Sequence, residues 1–326
     1  MPAPSRSDVR RVRIEQIKIR RARPSDKKIV LAFCRRTWGD WGDYIDKVWD
    51  EWVADRKGYF AIASIDGRPV GTGKLTVLNS REVWFEGLRV DRALRGKGIA
   101  HLLTAFLARE ALKRRAETIR YATGEVNRAS LHIGKSWGMR VVGRYSILYS
   151  AADGRRSTIF ARVSSMHPRG EALDELLKLV CWAPFTKAMS GLASKGWTFF
   201  KVDRNFLETA FKKREIFLGM RPGESTPLGI LIASPEHDKG RLLIKLVAES
   251  NERALGELLS GARRLAHDLK LRRMRLVVPA TRSILAAARA AGFKQEDKGF
   301  YHVVLEADLE SAKTRNRVAR QVNRYR

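Results

Sequence analysis

The sequence predicts an α+β fold laid down twice along the chain. Three observations predict it. Strand-like runs and helical periods alternate in an order that suits a mixed, mainly antiparallel sheet flanked by helices. A weaker copy of that order returns after residue 222. The length, 326 residues, suits two compact units better than one. Hydrophobic residues at 44% and charged residues at 30% describe a globular chain with sizeable cores and exclude a disordered one.

The first copy opens with a basic strand over residues 14–21, then a helix begun at Pro24-Ser25-Asp26, where Ser or Asp can cap exposed amides. A second helix follows, with Trp41, Tyr44, Ile45, Val48, Trp49 and Trp52 spaced along one face. That face reads either as a core stripe or as the wall of an acceptor pocket carrying Asp43, Asp46 or Asp50. Residues 59–65 and 70–78, joined by Asp66-Gly67-Arg68-Pro69, read as a hairpin, and 83–90 as a third strand. Ile99, Leu102, Leu103, Phe106 and Leu107 then switch to helical period. A strand at 119–123, a helix at 128–137 and strands at 140–150 and 157–163 complete the unit.

The second copy has a hairpin (227–233 and 241–248), a helix keeping Leu255, Leu258, Leu259, Ala262 and Leu265 at helical spacing, a strand at 274–278, a helix at 283–291 and a strand at 301–306. The domain expectation is a catalytic unit over 1–165 with a basic, flexible start at 1–12, and a helical, aromatic connecting segment over 166–222. A degenerate second unit over 223–310 and a basic tail over 311–326 follow.

The net charge is +29, from 64 Lys and Arg against 35 Asp and Glu. Residues 1–24 hold eight basic and two acidic side chains, and residues 311–326 six basic and none acidic. The body is basic too, so nucleic acid or an acidic protein is a candidate partner, against the plainer reading of a solvated surface with frayed basic ends. Cys34 and Cys181 have no zinc or dithiol spacing, so neither a disulfide nor a metal is expected. The chain shows no long apolar run and no secretory leader, which predicts a cytoplasmic protein with no membrane partner.

The chemistry concentrates in VWFEGLRVDRALRGKGIAHLL, residues 83–103. A strand runs into a glycine-rich turn that opens a helix. Arg95-Gly96-Lys97-Gly98-Ile99-Ala100 clears side chains where backbone amides must approach a ligand, and the helix adds unpaired N–H groups and the positive end of its dipole. With Arg92, Arg95 and Lys97 added, a pyrophosphate is a natural guest. Neither the dinucleotide G-x-G-x-x-G nor the G-x-x-x-x-G-K-[ST] phosphate loop is present, which removes support for those cofactors.

This turn resembles the cofactor motif of the GNAT superfamily of N-acyltransferases: Arg or Gln, two residues, Gly, one residue, then Gly or Ala. Arg95, Gly98 and Ala100 satisfy it. The resemblance implies acetyl-CoA as co-substrate, a GNAT-like fold in both copies, and a pantetheine arm bound along the strand backbone at Leu88 and Val90. It extends through TGEVNRASLHIGKSWGM, residues 123–139, where Asn127, Ser130, Gly138 and Met139 fit. Asn127 would contact the pantetheine or the water around the departing sulfur. Many members place a Tyr four residues before that Gly as the acid that protonates the thiolate; here that position is Gly134, and His132 lies two residues away on another helix face. Glu86 stands where members often carry a Glu and is the candidate base, its pKa raised by Trp84 and Phe85; the alternative is a Glu paired with a basic neighbour. The segment around WFEGLRVDRALRGKGIA is similar to histidine N-acetyltransferases.

The second copy reads LVAESNERA at residues 246–254, with no glycine and two carboxylates that would repel a pyrophosphate. The expectation is a tandem enzyme with an active first unit that acetylates a small amine or amino acid. A protein lysine or N-terminus is the second acceptor class. A basic, non-catalytic RNA- or ribosome-binding module on the same fold is the third reading.

Overall fold

The computed structural model describes residues 16–35, 37, 42–155, 158–162, 170–296 and 299–325. In chain order its elements are β1 (Ile17–Arg21), α1 (Lys27–Cys34), α2 (Ile45–Ala54), β2 (Tyr59–Ile65), β3 (Arg68–Val77), β4 (Glu82–Val90), α3 (Ile99–Lys113), β5 (Thr118–Gly124), α4 (Arg128–Ser136), β6 (Arg140–Ala151) and β7 (Ile159–Arg162). There follow α5 (Glu171–Trp182), α6 (Pro184–Ala188), β8 (Leu192–Lys195), β9 (Thr198–Lys201), α7 (Arg204–Lys212), β10 (Ile216–Met220), β11 (Pro227–Glu236), β12 (Arg241–Glu249) and α8 (Glu252–Asp268). The last are β13 (Arg273–Pro279), α9 (Arg282–Ala290), β14 (Lys294–Gln295), β15 (His302–Asp308) and α10 (Ala312–Arg324).

Contacts divide the chain into two compact units, each discontinuous in sequence. One gathers Met1–Tyr121, Arg128–Arg140 and Leu305–Arg326; the other gathers Ala122–Asn127 and Val141–Val304. Residues from Leu305 onward therefore belong with the N-terminal unit.

In the first unit the strand order is β1-β2-β3-β4-β5-β15. The pairs β1/β2, β2/β3 and β3/β4 are antiparallel and β4/β5 is parallel. Asp66 and Gly67, both at positive φ (47° and 79°), form the two-residue hairpin turn. Ile45, Trp49 and Trp52 of α2 are buried with Val30, Cys34, Phe60 and Ile62, and both tryptophan rings meet Phe60 edge-on at 5.1 Å. The aromatic face of α2 is thus largely core, whereas Tyr44 is 42% exposed; Trp41 lies outside the described residues. Asp46 and Asp50 pair with Lys27. Asp26, expected to cap α1, instead accepts from the Arg20 guanidinium and the Arg23 amide at 2.7 and 2.8 Å.

A buried charge cluster ties β15 to this sheet. Arg120 of β5 donates to Glu82 of β4 and, at 2.6 Å, to Glu306 of β15, which also accepts from Arg140 at 2.7 Å. Removing one member would leave a buried charge unpaired, so the cluster penalises alternative registers of β15. The basic segment after residue 311 is a docked helix rather than a frayed end. Val318 and Val322, one turn apart, bury themselves, and Arg317 and Gln321 donate to the Lys135 and Ser136 carbonyls at the end of α4.

The second unit has the strand order β6-β13-β12-β11-β10-β7, with β12 and β13 parallel and β10/β11, β10/β7, β11/β12 and β13/β6 antiparallel. The segment expected to be helical is mixed: α5, α6 and α7 alternate with the β8/β9 hairpin, and β10 is a full member of the sheet. Phe185, Met189, Phe199 and Leu207 from this stretch are buried. No helix among the described residues is long and apolar enough to cross a membrane.

Candidate functional site

In the first unit the β3/β4 ladder slips at its middle: Thr72 faces Arg89, but Lys74 faces Glu86. The extra residue is accommodated at Gly87, whose φ is +64°, and a Cβ there would drive into the Trp52 ring. The bulge bends the strand. The parallel β4/β5 ladder joins Glu82, Val83 and Trp84 to Thr118, Ile119 and Arg120 and goes no further. Past that point the edge of β4 at residues 85–90 is no longer laddered to β5, leaving backbone suited to pairing with an extended amide-bearing ligand. Leu88 and Val90 lie on this stretch; the Leu88 carbonyl accepts from the Arg89 side chain at 3.0 Å. Arg89 is itself held by Asp43 at 2.7 Å, both side chains being buried.

Beyond β4, Asp91 caps a 3-10 turn at Arg92–Leu94 by accepting from the Ala93 amide, and Leu94 buries its side chain. Gly96 and Gly98 then take φ of +77° and +80°, and Gly98 is the N-cap of α3. Two left-handed residues this close require glycine or a strain cost. Gly98 offers no side chain to its own helix, and the first intrahelical bond runs from the Leu102 amide to the Gly98 carbonyl at 3.0 Å. The amides of Ile99, Ala100 and His101 therefore precede the ladder. Arg95 is exposed and Lys97 half-buried, so fixed cations flank the helix N-terminus. Arg95 through Ala100 thus form one continuous anion-suited turn.

Glu86 sits at the bulge, half-buried, and accepts from the Thr76 hydroxyl at 2.5 Å. Burial pushes its carboxyl above the ordinary range, against the Thr76 hydroxyl and the Lys74 charge, which pull it down. Lys74 makes its own ion pair with Asp55. A carboxyl raised this way is a better proton acceptor at neutral pH than an exposed one.

Ser130, on α4, accepts at its carbonyl from the Tyr121 hydroxyl at 2.6 Å. Asn127, whose amide donates to the Gly124 carbonyl at 3.0 Å, falls in the second unit. Gly134 has a structural cause that its sequence context did not reveal. A Cβ at 134 would overlap the Tyr121 hydroxyl and the Leu305 side chain, so Tyr121 of β5 already fills the volume beside this helix. Burial pushes the Tyr121 hydroxyl up to about 12. Gly87 was legible as a glycine inside a strand, a bulge signal; Thr76 and Tyr121 carried no local signal.

The equivalent place in the second unit is built differently. The β11/β12 ladder also slips, between Ile232 facing Leu246 and Ala233 facing Ile244, and the β12/β13 ladder stops at Ile244 and Leu276. Here, however, Asn251 caps α8 by accepting from the Ala254 amide at 3.0 Å. Glu249 turns inward and accepts from the Phe185 amide at 2.9 Å, and burial pushes its carboxyl up to about 7. A self-capped helix with a carboxyl at its entrance is no anion site. Among the described residues no group of three His, Cys, Asp or Glu side chains could hold a metal ion.

A bulged strand that parts from its parallel neighbour, followed by a glycine turn at a helix N-terminus, is a geometry suited to an extended, phosphate-bearing ligand. Residues 27–138 match the acetyltransferase (GNAT) family. No curated protein matches the chain in sequence. Among solved structures, a GCN5-related N-acetyltransferase from Sphaerobacter thermophilus is 15% identical with a TM-score of 0.58, covering 90% of this chain and 96% of that one. A tandem GNAT protein from the clavulanic acid biosynthesis pathway is 14% identical with a TM-score of 0.51, covering 90% and 98%. A GCN5-related glucosamine N-acetyltransferase region of a fungal multi-domain β-N-acetylglucosaminidase is 13% identical with a TM-score of 0.59, covering 89% of this chain and 38% of that one. At these identities the likeness is one of fold.

Proposed function

We propose that the first unit transfers the acetyl group of acetyl-CoA to a primary amine by direct attack, with a small amine or amino acid as the first acceptor class and a protein lysine or N-terminus as the second. The observation that carries the reading is the turn at Gly96 and Gly98, whose helix amides precede the ladder in the first unit while Asn251 caps the same place in the second.

In this reading the pyrophosphate lies on the amides of residues 99–101 beside Arg95 and Lys97, and the pantetheine runs along β4 at Leu88 and Val90, with Asn127 and Ser130 assigned to it by the family motif. The thioester carbonyl then sits near the bulge. Glu86, directly or through water, takes a proton from the bound ammonium; the neutral amine nitrogen then bonds to the carbonyl carbon, the nitrogen of that adduct gives up a second proton to solvent, and the C–S bond breaks as the carbonyl re-forms. With glycine at 134, the thiolate collects its proton from solvent; its ordinary pKa of about 8.5 makes it a tolerable leaving group near neutrality.

The test is titration of acetyl-CoA into the full chain at low and high salt, alone and with Gly98→Glu. Salt-tolerant binding that Gly98→Glu abolishes, while the variant keeps a single cooperative melt lowered only by the strain of a side chain at a left-handed position, supports the reading. Unchanged affinity in the variant, or binding of an RNA duplex alone, sinks it. An amine screen followed by Glu86→Gln then checks the base: the variant should lose at least about 100-fold in kcat, within the usual worth of general base catalysis.

A further inference from the structure

Three aromatic rings from three helices meet one turn beyond the glycine turn. His101, three residues after Gly98, lies about 4.5 Å along the α3 axis from the helix start. The Tyr325 ring, just past the end of α10, stacks on it with centroids 5.5 Å apart and an interplanar angle of 7°. His132 of α4 approaches His101 edge-on at 6.4 Å and 89°. Arg324 lies over the edge of Tyr325, 5.8 Å from the ring centre, and is exposed. Burial, His132 and Arg324 together hold the His101 imidazole below its ordinary value, which keeps it neutral near pH 7. Tyr325 is half-buried and His132 exposed, so the group reaches solvent. All these residues belong to the first unit.

A flat, neutral aromatic platform flanked by guanidinium groups takes a purine on its face and a phosphate at its rim. Arg320, one turn before Arg324, carries a second charge on the same helix face. The position of this platform matters. It lies within one helical turn of amides suited to a pyrophosphate, where an attached nucleoside would emerge. Resting on the acetyl-CoA reading above, we propose that the last turn of α10 completes the donor site, with Tyr325 and His101 receiving the adenine ring of acyl-CoA and Arg324 its 3′-phosphate. The C-terminal helix thereby sets the selection of coenzyme A over donors that lack the nucleotide.

The test measures equilibrium affinity of the full-length protein for three probes: acetyl-CoA, acetyl-dephospho-CoA, which lacks the 3′-phosphate, and acetyl-4′-phosphopantetheine, which lacks the nucleotide. Tyr325→Ala should weaken the first two by about tenfold, in keeping with the loss of one base–aromatic stack, and leave the third unchanged. Arg324→Ser should weaken acetyl-CoA alone. Tyr325→Phe should bind all three as the parent does, and thermal melts confirm that α10 stays docked in each variant. Parent affinity for acetyl-CoA in Tyr325→Ala, or an equal loss for all three probes, overturns the proposal while leaving the acetyltransferase reading intact. Failure of the parent protein to bind any probe overturns both.

Discussion

At position 134 a single methyl group would collide with the Tyr121 hydroxyl and the Leu305 side chain. Overpacking of this kind costs about 1–3 kcal/mol, so Gly134→Ala should lower the urea midpoint at pH 7 accordingly, and the same change should cost less in a Tyr121→Phe background, where the clashing hydroxyl is gone. A Gly134→Ala protein as stable as the parent would show that the helix shifts freely, and the packing argument would fail. The same geometry explains why restoring a tyrosine at 134 is no route to a general acid: the space is taken. The glycine was visible in the sequence, as was the acid it displaces by resemblance. Its cause was hidden, because Tyr121 sits thirteen positions earlier on another element and Leu305 near the far end of the chain.

Two strands with the same defect lead into different helix entrances. Both β4 and β12 carry a bulge and both leave their parallel neighbour early, yet one runs into a glycine turn and the other into an asparagine cap behind an inward-facing Glu249. That carboxyl lies near 7 in the folded chain against an ordinary 4.5. A folded value above the unfolded one means that its contribution to stability is present below about 4.5 and is lost as pH rises through 7. The loss is about 3 kcal/mol at 1.36 kcal/mol per unit, so Glu249→Gln, which keeps an acceptor for the Phe185 amide, should gain stability over the parent between pH 5 and 8 and match it near pH 4. Parallel stability curves across that range would refute the assignment. His302, buried in the same unit and held near 4 by burial and Arg275, acts in the opposite sense: its contribution is lost as pH falls from 6.5 toward 4. The hairpin, the turn, the helix α3 and the degenerate state of the second turn were all readable from period and glycine placement. The mixed character of 170–222 was not, since four-residue strands such as β8 and β9 carry too little pattern to separate from helix.

At the scale of the whole chain, the contrast between the two turns predicts one acetyl-CoA per polypeptide, with calorimetric stoichiometry as the check; a value near two would mean that the second unit binds despite its cap. The basic ends, read in sequence as a charge excess, resolve at the C-terminus into α10, whose periodic Val318 and Val322 were there to be seen beneath the arginines. Local pattern could not give the exchange of segments between units, because nothing in the run of residues 302–308 assigns it to one unit over the other; the partners of Glu306, Arg120 and Arg140, lie 186 and 166 positions upstream. That exchange has a consequence during synthesis. A nascent chain that has delivered its glycine turn, its bulged strand and Glu86 has Glu82 for Arg120 but still lacks β15 and Glu306, the second carboxylate that Arg120 meets, so the sheet of the first unit is incomplete until the segment after the second unit has been translated. Order of manufacture and order of completion are thereby reversed: the unit whose strands are made first receives its last strand after the other unit has been made.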